Sequence, residues 1–490
     1  MKPWRILIAS IALVTAISAC ALVPTAVPRT PAVTQAASPT STQFSAPTDT
    51  ATAPATTATT QASETRAAAP PATATPTLEA PTATVTPPAS NPAYPLITVR
   101  LQAVQVSDDN GQRAVRLTAQ QVKQWVDKAN EIFAQASVRL IYDPATDFAP
   151  LKSTLLNDMA GDSDAQWKRE VEVGNRVAAG YTGKLVVYFI HGPAPGPTGG
   201  GFSSAVYNFV EMPGFDDTSV CGHQNTGILA HEIGHYFGLS HPFAQIFTSL
   251  QDAELYLTAH GNDPQVFDGD GLSDTPPDPF IDTPQYQCNP VQSVTLNGRV
   301  FPLPRLNIMS YYSNPGVDRT DLTPQQSNIL RWVLGMRAKN GMATPTNVGV
   351  PGAIQFTTLP VKDRVDTAPI AQDMSPFGDA PRWNGDKQLF TSAHLNSAVG
   401  FSISVRAAGT YPLNLYATLA PDFGTLQTLV DGKPLGAPVD LYAPIVVPSG
   451  KISIGTIDLS AGTHALSFRV VGKNAASMGY SLGLDAFTLK

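Results

Sequence analysis

Residues 231–241 read His231-Glu232-Ile233-Gly234-His235-Tyr236-Phe237-Gly238-Leu239-Ser240-His241. On a helix, His231 and His235 lie one turn apart on the same face, so two imidazoles can grip one metal ion. Glu232 stands beside them and can work on a water activated by the metal. Gly238 suits the left-handed turn that ends a helix, and the turned chain can bring His241 in as a third ligand. Three protein nitrogens leave the fourth tetrahedral position open, the mark of a catalytic rather than a structural zinc.

A bare His-Glu-x-x-His is a weak signal, and a solvated helix with two histidines accounts for it equally well. Gly238 and His241 make coincidence harder. Downstream, Asn307-Ile308-Met309-Ser310-Tyr311 supplies a methionine followed two residues later by a tyrosine. The long motif with such a methionine turn resembles the metzincin metalloproteases, and within them the pappalysin branch. The segments that carry the resemblance are HEIGHYFGLSH at 231–241, GDGLSDTPPD at 269–278 and NIMSYY at 307–312. LTPQQ at 322–326 resembles the opening of the last helix of such a domain.

The resemblance implies an α+β, zincin-like domain with a mixed sheet and a zinc ion on His231, His235 and His241. It implies peptide-bond hydrolysis by a zinc-activated water, with Glu232 as general base. Met309 would form an apolar floor under the metal, and Tyr311 would contact the metal or stabilise the oxyanion. Without the resemblance, Tyr311 reads as a core tyrosine. Structural calcium is implied around Asp268, Asp270, Asp274 and Thr275; three carboxylates this close repel unless a cation or solvent separates them. The plain reading of that loop is a solvated acidic turn. A disulfide between Cys221 and Cys288 is also implied, although Cys221 departs from the arrangement expected of the family.

The chain has 490 residues, enough for two or three domains, and a net charge of −7 with 14% charged residues. It has no basic run of the kind that binds nucleic acid. Lys2 and Arg5 precede an apolar stretch, Ile6 to Ala19, too short to span a bilayer comfortably. Ile17-Ser18-Ala19-Cys20 resembles a bacterial lipobox, which implies a signal peptide over 1–20 and a lipid anchor on Cys20. An ordinary signal peptide beside a cysteine is the simpler alternative. Residues 21–93 are Ala, Thr, Pro and Ser with five charges and one aromatic residue, Phe44. Such a stretch buries too little apolar surface to offset chain entropy and reads as a disordered stalk.

Alternating strands and amphipathic helices follow over 94–345: a strand at 97–106, a helix from Ala119 capped by Thr118, a strand at 138–142, a helix through Trp167, and the buried strand 184–190. The glycines at 199–201 precede the place of the family's substrate-binding edge strand. From 346 to 490 short strands and turns such as Asp431-Gly432 predict an all-β sandwich. It resembles galactose-binding-like jelly rolls, including carbohydrate-binding modules, which implies a glycan partner; a sandwich that only packs or spaces is the other reading. The expectation is a membrane-anchored extracytoplasmic zinc endopeptidase acting on proteins or peptides. The alternative is a surface adhesin or carbohydrate-binding protein with a protease-like domain.

Overall fold

KLVVYFI at 184–190 is apolar after its first residue because both faces of this strand are covered. In the computed structural model, Leu185, Val187 and Phe189 enter one core while Val186, Tyr188 and Ile190 enter a second core on the opposite face. The structure describes residues 94–159, 163–192, 201–213, 219–220, 223–224, 227–312, 319–377 and 382–490. The expected signal peptide, Cys20, the stalk over 21–93, Gly199, Gly200 and Cys221 lie outside the described residues. The described residues fall in one compact unit. Among them, no helix is long and apolar enough to cross a membrane.

The first region is a sheet between helices. Its strands are β1 (Ile97–Ser107), β2 (Val138–Ile141), β3 (Phe148–Lys152), β4 (Lys184–Ile190) and β5 (Phe209–Pro213). β2 and β3 pair with successive halves of β1, and β4 lies between β1 and β5. Every strand pair in this sheet is parallel. Among the described residues, the mixed character expected of the sheet is therefore reduced to one antiparallel bridge, Phe202 to Glu211, at the β5 edge.

Helix α1 (Ala119–Phe133) is capped as the sequence predicts, with Thr118 and Gln121 forming a reciprocal capping box. It buries Val122, Trp125, Val126, Ala129, Ile132 and Phe133 against the sheet. The short α2 (Thr154–Asp158) is followed by α3 (Asp164–Ala178), which lies on the opposite face through Val171 and Ala178. Helix α4 (Ile228–Tyr236) carries the histidine motif and packs Leu229, Ala230 and Ile233 into the same core as α1. Helices α5 (Leu250–Ala259) and α6 (Pro284–Gln287) follow, and α7 (Pro324–Lys339) closes the region with a capping box of Thr323 and Gln326.

The C-terminal region is two facing sheets, one of seven strands and one of five. Leu482–Leu489 lies inside the larger sheet, between Lys387–Thr391 and Gly409–Leu419. Phe356 sits between the sheets with Phe401, Phe468 and Phe487 at ring distances of 5.0, 5.3 and 5.2 Å. Asp431 and Gly432 both take positive φ, as a two-residue hairpin turn requires. The strand after that turn, Lys433–Asp440, escapes sequence reading because it contains Pro434, Gly436 and Pro438. It is an edge strand, where proline is tolerated.

Two buried arginines hold the segment 205–207, one from the first region and one from the sandwich side. Arg337 of α7 is fully buried and donates to the carbonyls of Ala205 (2.8 Å), Tyr207 (2.8 Å), Tyr236 (3.1 Å) and Met342 (3.3 Å). Arg382, from the sandwich side, donates to the carbonyl of Val206. Charged donors are worth more than neutral ones, and truncating one strands several buried acceptors. Arg337→Met should therefore lower the unfolding free energy by about 3 kcal/mol in denaturant titration. A loss under about 1 kcal/mol would show that these carbonyls find other partners.

Candidate metal centre

Helix α4 stops because Gly238 takes φ +88°. Its amide donates to the carbonyl of His235 (2.9 Å), and the Leu239 amide donates to that of Gly234 (3.0 Å). This is a Schellman stop, and it turns the chain so that His241 comes back over the helix. A side chain at 238 would also strike Val333, its Cβ falling 2.8 Å from Cγ2. Glycine is thus needed twice, for conformation and for space.

The three histidines converge. Nε2 of His241 lies 3.0 Å from Nε2 of His235 and 3.4 Å from Nε2 of His231. Zinc–nitrogen bonds of about 2.0–2.1 Å at tetrahedral angles place ligand nitrogens about 3.3–3.4 Å apart, so the spacing fits that ion. The outer nitrogens are held as well. Nδ1 of His231 donates to the carbonyl of Ile308 and Nδ1 of His235 to that of Leu239, both at 2.7 Å. Those bonds leave the Nε2 lone pairs of both rings aimed at the common point. Burial lowers the pKa of all three rings, that of His235 to about 4. Three neutral imidazoles facing one another this closely suit a cation between them better than a proton. Among the described residues this is the one group of three or more His, Cys, Asp or Glu side chains that converge in this way.

The surroundings are built around the same point. Met309 is fully buried, and its sulfur would lie 2.6 Å from a Cβ at Gly234, so the glycine lets it pack under α4. Asn307 Oδ1 accepts from the Met309 amide (2.9 Å), and its side chain exchanges hydrogen bonds with Gln326 of α7. Tyr311 is half-buried, its ring 4.6 Å from that of His241 and 5.6 Å from that of His231. Phe243 stacks on His241 at 4.7 Å and 5°. Glu232 is 1% exposed and lies under Gly201, where an added Cβ would fall 2.4 Å from its Cγ. The backbone at the sheet edge therefore runs directly over the expected base.

The acidic loop behaves differently. Asp268 accepts from the amides of Asp270 and Gly271. Asp270 accepts from Thr275 Oγ1 (2.7 Å) and the Leu272 amide, and burial pushes its pKa to about 7. Asp274 caps α7 instead, accepting from the Gln325 amide at 2.9 Å. The expected calcium ligands are neighbours in sequence, but each carboxylate is engaged by local donors. Cys288 follows α6 and is disulfide-bonded; its expected partner, Cys221, lies outside the described residues.

Sequence reading missed several supporting residues. Asp278 is fully buried and accepts from Tyr312 Oη at 2.6 Å, with Arg305 4.8 Å from that ring; this ties the acidic segment to the methionine turn. Its place in TPPD offered no chemical signal. Glu211 of β5 is buried, and desolvation, with the nearby Glu170, raises its pKa to about 8.

No family model matches the chain, and no curated protein matches it. Solved structures match over small parts. A Paenibacillus xanthan lyase shares 23% identity over 30% of this chain and 14% of its own length, at a TM-score of 0.26. A Podospora anserina GH26-CBM35 β-(1,4)-mannanase shares 12% over 28% of this chain and 27% of its own, at 0.21. A family 35 carbohydrate-binding module from an environmental isolate shares 12% over 28% and 91%, at 0.21. Likenesses at these TM-scores carry no argument, so the architecture rests on the topology described above.

Glu211 yields a pH prediction. Its folded pKa lies above the ordinary carboxylate value of 4.5, so its contribution to stability is fully present below pH 4.5 and is lost as pH rises through about 8. Glu211→Gln should melt higher than the parent at pH 8.5, with a smaller difference at pH 5.5. An equal difference at both pH values would mean that Glu211 ionises freely in the fold.

Proposed function

We propose that the chain is a zinc endopeptidase of the metzincin type, close to the pappalysins, and that it acts outside the cytoplasm. The observation that carries this reading is the convergence of three Nε2 atoms at 3.0 and 3.4 Å, two of them fixed by carbonyls behind the rings. A zinc ion bound there supplies Lewis acidity and lowers the pKa of water toward neutrality.

The chain's own residues supply the rest. Glu232, one residue from His231 and nearly excluded from solvent, takes a proton from water and passes it to the leaving amine. The parallel edge strand β5 and the Phe202–Glu211 bridge beside it offer backbone for an extended peptide to pair with. Tyr311, whose ring lies against His231 and His241, is the side chain placed to donate to a developing oxyanion. Met309 keeps the floor apolar. Membrane attachment through Cys20 belongs to the same proposal and rests on the lipobox resemblance alone. The calcium ion at 268–275 also rests on resemblance alone, since the carboxylates there already have partners.

The second reading, a carbohydrate-binding surface protein, is favoured by the two-sheet sandwich over the last quarter of the chain and its resemblance to galactose-binding-like jelly rolls. The two readings separate in one experiment. Denatured casein is incubated with the zinc-loaded protein, with and without a zinc chelator, and the same preparation is applied to a glycan array. Chelator-sensitive cleavage is expected; glycan binding without cleavage would favour the second reading.

Glu232→Gln should retain zinc and the melting temperature while hydrolysis falls by at least about 100-fold, since the ligands stay and the base does not. Zinc-replete Glu232→Gln with parental turnover would remove Glu232 from the mechanism. His241→Ala should lose zinc by metal analysis, because two nitrogens remain.

A further inference from the structure

The sandwich reaches the metal centre. A cleft of about 660 Å³ is lined on one side by His235 and His241 and on the other by residues of the C-terminal region. The near wall includes Leu239, Ile329 and Trp332. The far wall includes Tyr442, Ile445, Val446 and Met478. The contact begins at the motif itself, where an added Cβ at Gly238 would meet Ile445 Cδ1 at 3.3 Å. The ceiling is the segment Phe202–Tyr207, whose carbonyls are held by Arg337 from α7 and Arg382 from the sandwich side. The sandwich thus forms one wall of the cleft and also helps to hold its ceiling.

We propose that the sandwich is a specificity-determining wall of the substrate cleft, and that the cleft takes apolar side chains of an extended peptide next to the bond being cut. The inference rests on the peptidase reading above and extends it. The occupant follows from the lining. The lining is mostly aliphatic, aromatic or thioether, with Asp270, Gln325 and Asn328 among its polar members, and the apolar part gains from apolar burial. The volume exceeds that of one side chain and falls in the range of small-ligand sites, so two or more residues fit. The position follows from continuity with His235 and His241, which line the same space. Met478 lines this space while 78% exposed, and methionine adapts to varied apolar partners.

The test uses the full chain, zinc-loaded, in the Glu232→Gln background so that peptide is bound and not consumed. The probe is a fluorescein-labelled peptide spanning the first casein bond that the parent protein cleaves. Met478→Asp and Tyr442→Ala should each weaken binding about tenfold, with zinc content and melting temperature retained. Val365→Thr, on an edge strand that does not line the cleft, should leave binding unchanged. In the active background, a peptide library should lose its preference for apolar residues at positions on one side of the cut. Unchanged affinity and an unchanged library profile in both variants would overturn the sandwich wall while leaving the peptidase reading intact. A parent protein that cleaves no peptide defeats both.

Discussion

Three imidazole nitrogens that face one another at 3.0 and 3.4 Å repel unless something positive lies between them, and the rest of the first region is arranged to hold them there. No single element could do this. His231 and His235 come from one turn of α4, but His241 depends on the stop at Gly238, and that stop works because nothing larger fits against Val333 of α7. The rings are then oriented from behind by Ile308 and Leu239 carbonyls. Ile308 belongs to the turn that carries Met309, and that turn is tied through Asn307 and Gln326 to the start of α7. A chain of short contacts thus links the last helix to the first ligand.

The same helix governs the cleft. Arg337 reaches from α7 to the carbonyls of Ala205 and Tyr207, and Arg382 reaches Val206 from the sandwich side. Burying a guanidinium is costly unless its donors are used, and Arg337 uses its donors on backbone carbonyls, whereas Arg382 reaches Val206 with its Nε left without a partner. Two such groups on three consecutive residues leave that segment little freedom. The consequence is a segment beside the three histidines whose position depends on both regions of the chain.

Much of this was legible in the sequence because it is local. The histidine motif, its glycine stop and the three histidines lie within eleven residues, and spacing alone predicts that they converge. The cap at Thr118 and the buried strand 184–190 follow from pattern in the same way. What was not legible depends on contacts far apart in sequence. Nothing about Arg382 announces that it will meet Val206, and nothing in TPPD says that Asp278 will accept from Tyr312. The partners of the acidic loop were hidden for a related reason. Three aspartates within seven residues suggest one cation, yet Asp274 turns away to cap α7. The edge strand Lys433–Asp440 hid behind its prolines, which its edge position tolerates.

The central claim is that His231, His235 and His241 hold one zinc ion and leave a coordination position open. Zinc K-edge X-ray absorption on the purified, zinc-loaded full chain addresses it most directly. The account predicts one zinc per chain with three imidazoles and a fourth light-atom ligand from solvent, at about 2.0–2.1 Å. A sulfur shell at about 2.3 Å, or a sphere closed by four protein ligands, would contradict it.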